Sequence, residues 1–347
     1  MVSHGVRCTI FQPAPPPTQP QGLPNMALTS RLSHPPTTTT DPEDHFASSL
    51  GVIFPDDVTN QHSSDDTNVL LYTSPHLPSP LSLRLARVHE EADRYLFSHY
   101  LWNAALLLAE LVEADTLKLP PGPPPPTETT REKTIAPGAG AFDVSGLRTI
   151  ELGAGAGLPS IMAALVGARG AVATDYPSPM VLEALQGNVA AAVREGNAAA
   201  AAAAFTVEDV RVEGHGWGEL DTAFAREARG RYDRVMAADV LWMPWQHENL
   251  RRSIAWFLKE GETARAWVVG GFHTGRETVG AFFEREALAE AGLEVEHLWE
   301  RDCDGLDREW AWDRGVEETS VRKRWLAVGV LKRITSGGRA KAETALS

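Results

Sequence analysis

The stretch that most restricts the fold is residues 147–168, where the apolar run LRTIEL meets glycines at 153, 155 and 157 and then LPSIMAALVGA. The first run has the length and composition of a buried strand. The second has helical periodicity, with Pro159 near its first turn, where a missing N–H costs least. A turn with this much bare backbone lets the main chain approach a ligand with no Cβ in the way. The same alternation continues downstream. Strands are predicted over 170–176, 204–212, 232–242 and 264–273, and helices over 178–195, 247–261 and 278–292, the last two stopped by Gly261 and Gly292. Upstream, residues 86–114 read as one helix without internal Gly or Pro, and two successive strands over 294–302 and 322–334 close the pattern. Alternating elements of this kind predict an α/β fold: a doubly wound, mainly parallel sheet of seven strands with an antiparallel edge.

The domain so outlined covers residues 66–335. Residues 1–65 are rich in Pro, Thr, Ser and Gln and bury too little apolar surface to offset their ordering entropy, so a disordered segment is expected there. The insert 119–140, LPPGPPPPTETTREKTIAPGAG, reads as an exposed loop, the alanine run near 195–204 as a loosely constrained connection, and 336–347 as a flexible tail. A net charge of −14 argues against a nucleic-acid surface, which needs clustered cations. The two cysteines, Cys8 and Cys303, stand far apart, which excludes a disulfide framework or a four-cysteine zinc site. Neither clustered carboxylates nor a His/Cys array points to a metal. No signal peptide or membrane-spanning stretch is visible, so a cytoplasmic protein without membrane or nucleic-acid partners, and a monomer, is expected.

In a doubly wound sheet, ligands bind beyond the carboxyl ends of the strands, where the strand order reverses. Gly153, Ala154 and Gly155 fall at that place on the first strand. The dinucleotide fingerprint requires a third glycine at 158, and that residue is Leu158. Asp175 ends the second strand, 22 residues after Gly153, where an acidic side chain accepts hydrogen bonds from a ribose diol. The expected ligand therefore carries a ribose but needs no pyrophosphate; S-adenosylmethionine fits that description better than NAD. Glu151, a carboxylate at the end of a buried strand, is expected either to hold a ligand's amino group or to cap the local turn.

These residues resemble the seven-stranded S-adenosylmethionine-dependent methyltransferases. More narrowly, LWNAA (101–105), ELGAGAGLPS (151–160), ATDYPSPMVLEALQGNV (173–189), GHGWGE (214–219) and AADVLWMPWQHENL (237–250) resemble the fungal nicotinamide N-methyltransferase-like group, which includes the elongation factor 1-alpha N-terminal and lysine methyltransferase. The resemblance covers roughly residues 80–335. It implies that Trp102 caps the cofactor, that Gly153-Ala154-Gly155 lies along its methionine part with Asp175 on its ribose, and that Trp217 and Ala238 border the adenine. Where the group commonly shows paired histidines, this chain has His273-Thr274.

Methyl transfer to an amine is an in-line displacement in which alignment supplies most of the rate, and the attacking amine must lose a proton. By topology, Asp239 and His273, at the ends of the fourth and fifth strands, are the polar groups best placed to accept it, and Trp242 and Trp245 are expected to wall a substrate pocket facing a cation. The leading expectation is N-methylation of a protein amine, a lysine or an N-terminus, with elongation factor 1-alpha as the candidate acceptor that the resemblance implies. The alternatives are a small amine such as nicotinamide, an NAD(P)-linked reductase, and a non-catalytic adaptor.

Overall fold

The computed structural model describes residues 28–35, 68–74, 76–86, 100–119, 135–194 and 210–334. Strands β4 (Arg148–Leu152), β5 (Gly170–Asp175), β6 (Val210–Gly214), β7 (Arg234–Ala238) and β8 (Arg265–Gly271) are mutually parallel. β9 (Leu293–Asp302), β10 (Asp307–Glu309) and β11 (Trp325–Arg333) complete one eight-stranded sheet in the order β10-β9-β11-β8-β7-β4-β5-β6. β11 slots between β8 and β9 and is antiparallel to both, and β10 is antiparallel to β9. The expected seven strands are all present, and the antiparallel character lies on the expected side. The eighth strand, three residues long, folds back on β9 within the connection between the last two predicted strands. The strand order reverses between β4 and β7, which places a crevice beyond their carboxyl ends.

Both faces of the sheet are covered, and strand alternation shows it. On β8, Ala266 and Val268 join one apolar cluster while Trp267 and Val269 join the other; on β11, Leu326, Val328 and Val330 lie opposite Ala327 and Leu331. The face of Trp267 and Val269 carries α1 (Asn103–Thr116) and α2 (Leu158–Leu165), whose eight residues are all buried. Between β5 and β6 runs α3 (Pro179–Arg194). The second face carries α4 (Ala223–Ala228), α5 (His247–Phe257) and α6 (Arg276–Phe282), followed by α7 (Arg285–Glu290); a short α8 (Thr319–Lys323) precedes β11.

Four expectations need correction. The helix expected over 86–114 begins, among the described residues, only at Asn103, because Trp102 before it is extended at φ −82° and ψ 150°. The helix expected to run to Gly261 ends at Phe257, where Leu258 turns extended at φ −64° and ψ 127°. The single helix over 278–292 is the pair α6 and α7, broken at Phe283 and the extended Glu284. Phe282 and Phe283 are both buried, with rings 5.1 Å apart at 87°. The break at Phe283 and Glu284 lets the two adjacent rings pack nearly perpendicular to each other in the core. Residues 28–35, inside the segment expected to be disordered, form a helical turn (Leu28–Arg31) and β1 (Leu32–Ser33). β1 joins β2 (Val69–Tyr72) and β3 (Leu81–Arg84) in a second, antiparallel sheet, whose inward Leu70, Tyr72, Leu81 and Leu83 are buried in the core over α1. Arg31 Nε meets Glu110 of α1 at 2.9 Å. The rest of 1–65, the first half of the predicted 86–114 helix, most of the proline-rich insert, the alanine run and the tail lie outside the described residues.

Candidate active site

A cavity of about 260 Å³ opens where the strand order reverses, beyond the carboxyl ends of β4, β5 and β7. Its lining includes Trp102, Glu151, Gly153, Ala154, Gly155, Asp175, Trp217, Ala238, Asp239 and Trp242, ten of the twelve residues singled out in the sequence. The glycine loop is tied to β5: Ala154 N–H donates to the Thr174 carbonyl at 2.9 Å and Gly155 N–H to Asp175 Oδ2 at 2.6 Å. Asp175 Oδ1 accepts from the Tyr176 N–H at 2.7 Å. Burial raises the Asp175 carboxyl above its usual range and the two amides pull it back. The carboxylate is thus held in one orientation and keeps lone pairs for a diol. At Gly153, with φ +71°, a Cβ would lie 2.8 Å from Val240 Cγ1 and 3.0 Å from Trp217 Cζ2. The bare backbone is therefore a packing requirement, and a cradle of this shape beside Asp175 fits a ribose-bearing ligand.

Glu151 is 1 % exposed, and of the two roles expected for it the turn cap is observed. It lines the cavity, and its Oε2 accepts from the Ser160 N–H at 2.9 Å, capping the first turn of α2. Burial pushes its carboxyl up to about 8, against the bonds from Ser160. Such a group gains from a cationic partner that enters the cavity.

Trp217 is held from behind. His215, two residues earlier and 2 % exposed, pairs through Nε2 with Ser253 Oγ of α5 at 3.1 Å, and the Gly218 N–H donates to the same hydroxyl at 2.9 Å. Burial lowers the His215 pKa to about 4, so the ring is neutral and serves as a pin.

The polar end of the cavity centres on Asp239, just past β7 in a left-handed conformation with φ +56°. Its N–H donates to the Val269 carbonyl at 2.8 Å, and its Oδ1 accepts from the Gly271 N–H at 3.0 Å, bridging the ends of β7 and β8. Burial raises the carboxyl above its usual range, with His273 pulling it down. His273 Nε2 stands 3.7 Å from Asp239 Oδ2, and its ring packs 4.9 Å from that of Trp102, the residue before α1. Asp239, His273 and Trp102 thus form one contact chain at the mouth.

The sequence profile of the lysine methyltransferase family matches residues 85–285. The chain belongs to that family. This methyltransferase is also similar to protein N-terminal and lysine N-methyltransferases of fungi. It is 29 % identical to that of Gibberella zeae over 219 residues, 60 % of this chain and 70 % of the relative. It is 30 % identical to that of Yarrowia lipolytica over 232 residues, 64 % of this chain and 73 % of the relative. A shorter match to that of Schizosaccharomyces pombe reaches 35 % over 115 residues, a third of each chain. The family is that of S-adenosylmethionine-dependent enzymes, as the sequence resemblance implied.

In this methyltransferase two expected site residues stand apart from the cavity lining. His273 reaches it only through Asp239 and Trp102. Trp245, expected to wall a substrate pocket with Trp242, is 70 % exposed in a helical turn (Pro244–Gln246) on the surface. The spacing of three that puts two side chains on one helical face fails here, because Met243 takes φ −105° and ψ 87° between them. The sequence reading missed Tyr100, Tyr176, Glu219, Met243 and Gln246, which also line the cavity. Tyr176, Glu219, Met243 and Gln246 lie inside blocks already quoted and Tyr100 adjoins one, and that placement was the only available signal.

Proposed function

We propose that this methyltransferase binds S-adenosylmethionine in the cavity between β4, β5 and β7 and transfers its methyl group to an amine of a protein, a lysine side chain or an N-terminus. The observation that carries the reading is Asp175, fixed by two backbone amides beside a glycine loop in which Gly153 has no room for a side chain. The names of the fungal relatives support a protein acceptor, and elongation factor 1-alpha is the first acceptor to test.

S-adenosylmethionine supplies an electrophilic methyl group on a sulfonium centre. The residues present divide the remaining work. Asp175 accepts the ribose hydroxyls, Glu151 faces the amino-acid end, and Trp217 walls the adenine side with Ala238. Trp102 covers the opening and excludes water. At the open end, Asp239 accepts the proton that the incoming ammonium must lose before its lone pair attacks, and His273 stabilises the resulting charge pattern. Burial brings the Asp239 carboxyl closer to the basicity such a transfer requires.

The test is incubation of the protein with methyl-labelled S-adenosylmethionine and cell extract, followed by separation of macromolecules from small molecules. Label in a protein band that is lost with Asp175→Ala supports the reading. Label confined to the small-molecule fraction replaces it with methylation of a small amine.

A further inference from the structure

We propose that a second recess, at the opposite end of the sheet, is a binding site for a phosphate-bearing small molecule. This inference stands independently of the function proposed above. The recess, about 250 Å³, lies at the amino ends of β4 and β5 and is bounded by β6, α4 and the turn before β7. It shares no lining residue with the cofactor cavity. β5 rises about 3.3 Å per residue, so its six residues set the recess roughly 17 Å from Asp175.

Four arginines line it: Arg148, Arg169, Arg211 and Arg231. Two have carboxylate partners, Arg211 with Glu213 at 2.6 Å and Arg231 with Glu227 at 3.4 Å. Asp233, which also feels Arg169, is engaged by Lys259 at 3.1 Å and by the Arg148 backbone N–H at 3.0 Å. Among the described residues, four guanidinium groups and Lys259 therefore face three carboxylates, Glu213, Glu227 and Asp233, so the described lining is net positive in a chain of net charge −14. Burial raises the Tyr232 hydroxyl to about 12, and Arg211, Arg231 and Arg148 lower it while Glu213 raises it. Phe224 and Tyr232 supply an apolar wall.

Guanidinium is the cation whose planar fork matches phosphate oxygens two at a time, and several such forks around one point favour a multiply charged anion over a single carboxylate. The ligand class is a di- or triphosphate, free or carried on a nucleoside whose ring system lies against Phe224 and Tyr232.

The experiment is calorimetric titration of the full chain at low salt with inorganic pyrophosphate, with ATP and with citrate, in saturating S-adenosylhomocysteine so that the cofactor cavity is occupied. Wild type should bind pyrophosphate or ATP at one site per chain. The double variant Arg148→Ala/Arg211→Ala should bind about a hundredfold more weakly, roughly tenfold for each guanidinium removed. Arg148 and Arg211 are exposed, and circular dichroism checks that the double variant folds; Arg169→Ala/Arg231→Ala serves as a second pair. Equal binding of pyrophosphate and ATP places recognition in the phosphates, and tighter ATP binding adds the aromatic wall; both support the site. No saturable binding by wild type, binding untouched by both double variants, or citrate binding as tightly as pyrophosphate overturns it.

Discussion

Replacing Gly153 with alanine is a sharp test of how the cofactor loop is built, because Gly155 provides an internal control. Gly153 has φ +71°, and its Cβ would meet Val240 Cγ1 at 2.8 Å and Trp217 Cζ2 at 3.0 Å. Gly155 has φ +54°, and a Cβ there meets nothing within 4 Å. Left-handed backbone costs an alanine about 1–2 kcal/mol at either site. Only Gly153→Ala adds overpacking, about 1–3 kcal/mol for a methyl forced into a filled space. Gly153→Ala should therefore destabilise by about 2–5 kcal/mol and Gly155→Ala by about 1–2, set against a total of about 5–15 for a typical domain. The assay is urea unfolding of both variants without ligand, comparing midpoints at constant slope. Gly153→Ala should also weaken S-adenosylhomocysteine binding, since the displaced Trp217 ring is a cavity wall. If the two variants were equally stable, or Gly155→Ala the weaker, the close packing of the loop against Trp217 and Val240 would be refuted.

Three further outcomes are expected. Asp239→Asn keeps the acceptor for the Gly271 N–H and a side chain that tolerates positive φ, so kcat should fall by about 10²–10⁴ with little change in cofactor affinity; steady-state kinetics showing kcat unchanged would remove Asp239 as proton acceptor. The Glu151 carboxyl, held near 8 in the folded state against 4.5 for an ordinary glutamate, contributes stability that is full below 4.5 and is lost as pH rises through 8. Glu151→Gln should lack that decline, so its ligand-free stability relative to wild type should rise between about pH 5 and pH 8, by at most about 1.4 kcal/mol per unit; a flat difference in urea unfolding contradicts it. Trp245→Ala should leave S-adenosylhomocysteine affinity unchanged while Trp217→Ala lowers it, and calorimetry giving the reverse order would show that the cavity is drawn around the wrong tryptophan.

Much of this was legible in the sequence because the fold writes it locally. Strand, glycine turn and helix at 147–168 are contiguous, and Asp175 sits at a distance fixed by one helix and one strand, so their meeting at one cavity needed no tertiary knowledge. The same held for Asp239, which closes the strand after the order reverses. Trp245 was misplaced because its position depends on two dihedrals at Met243 that no spacing rule encodes. The sheet β1–β3 was unread because its strands are two to four residues long, and its alternation gains meaning only against α1. The break between α6 and α7 was invisible because Phe282 and Phe283 look like one apolar patch until the core around them is known. The arginines at 148, 169, 211 and 231 are scattered singly along the chain and gather only when three strands are laid side by side, so a net charge of −14 concealed a basic recess.

The central claim is that the Asp175 carboxylate grips a ribose diol beside the bare loop at 153–155. Calorimetric titration of S-adenosylhomocysteine into wild type and Asp175→Ala measures it directly. Loss of two charge-assisted hydrogen bonds should weaken binding by about a hundredfold or more in a variant that remains folded. Equal affinity in a folded Asp175→Ala, or a wild type that binds NAD and leaves S-adenosylhomocysteine unbound, would contradict the account.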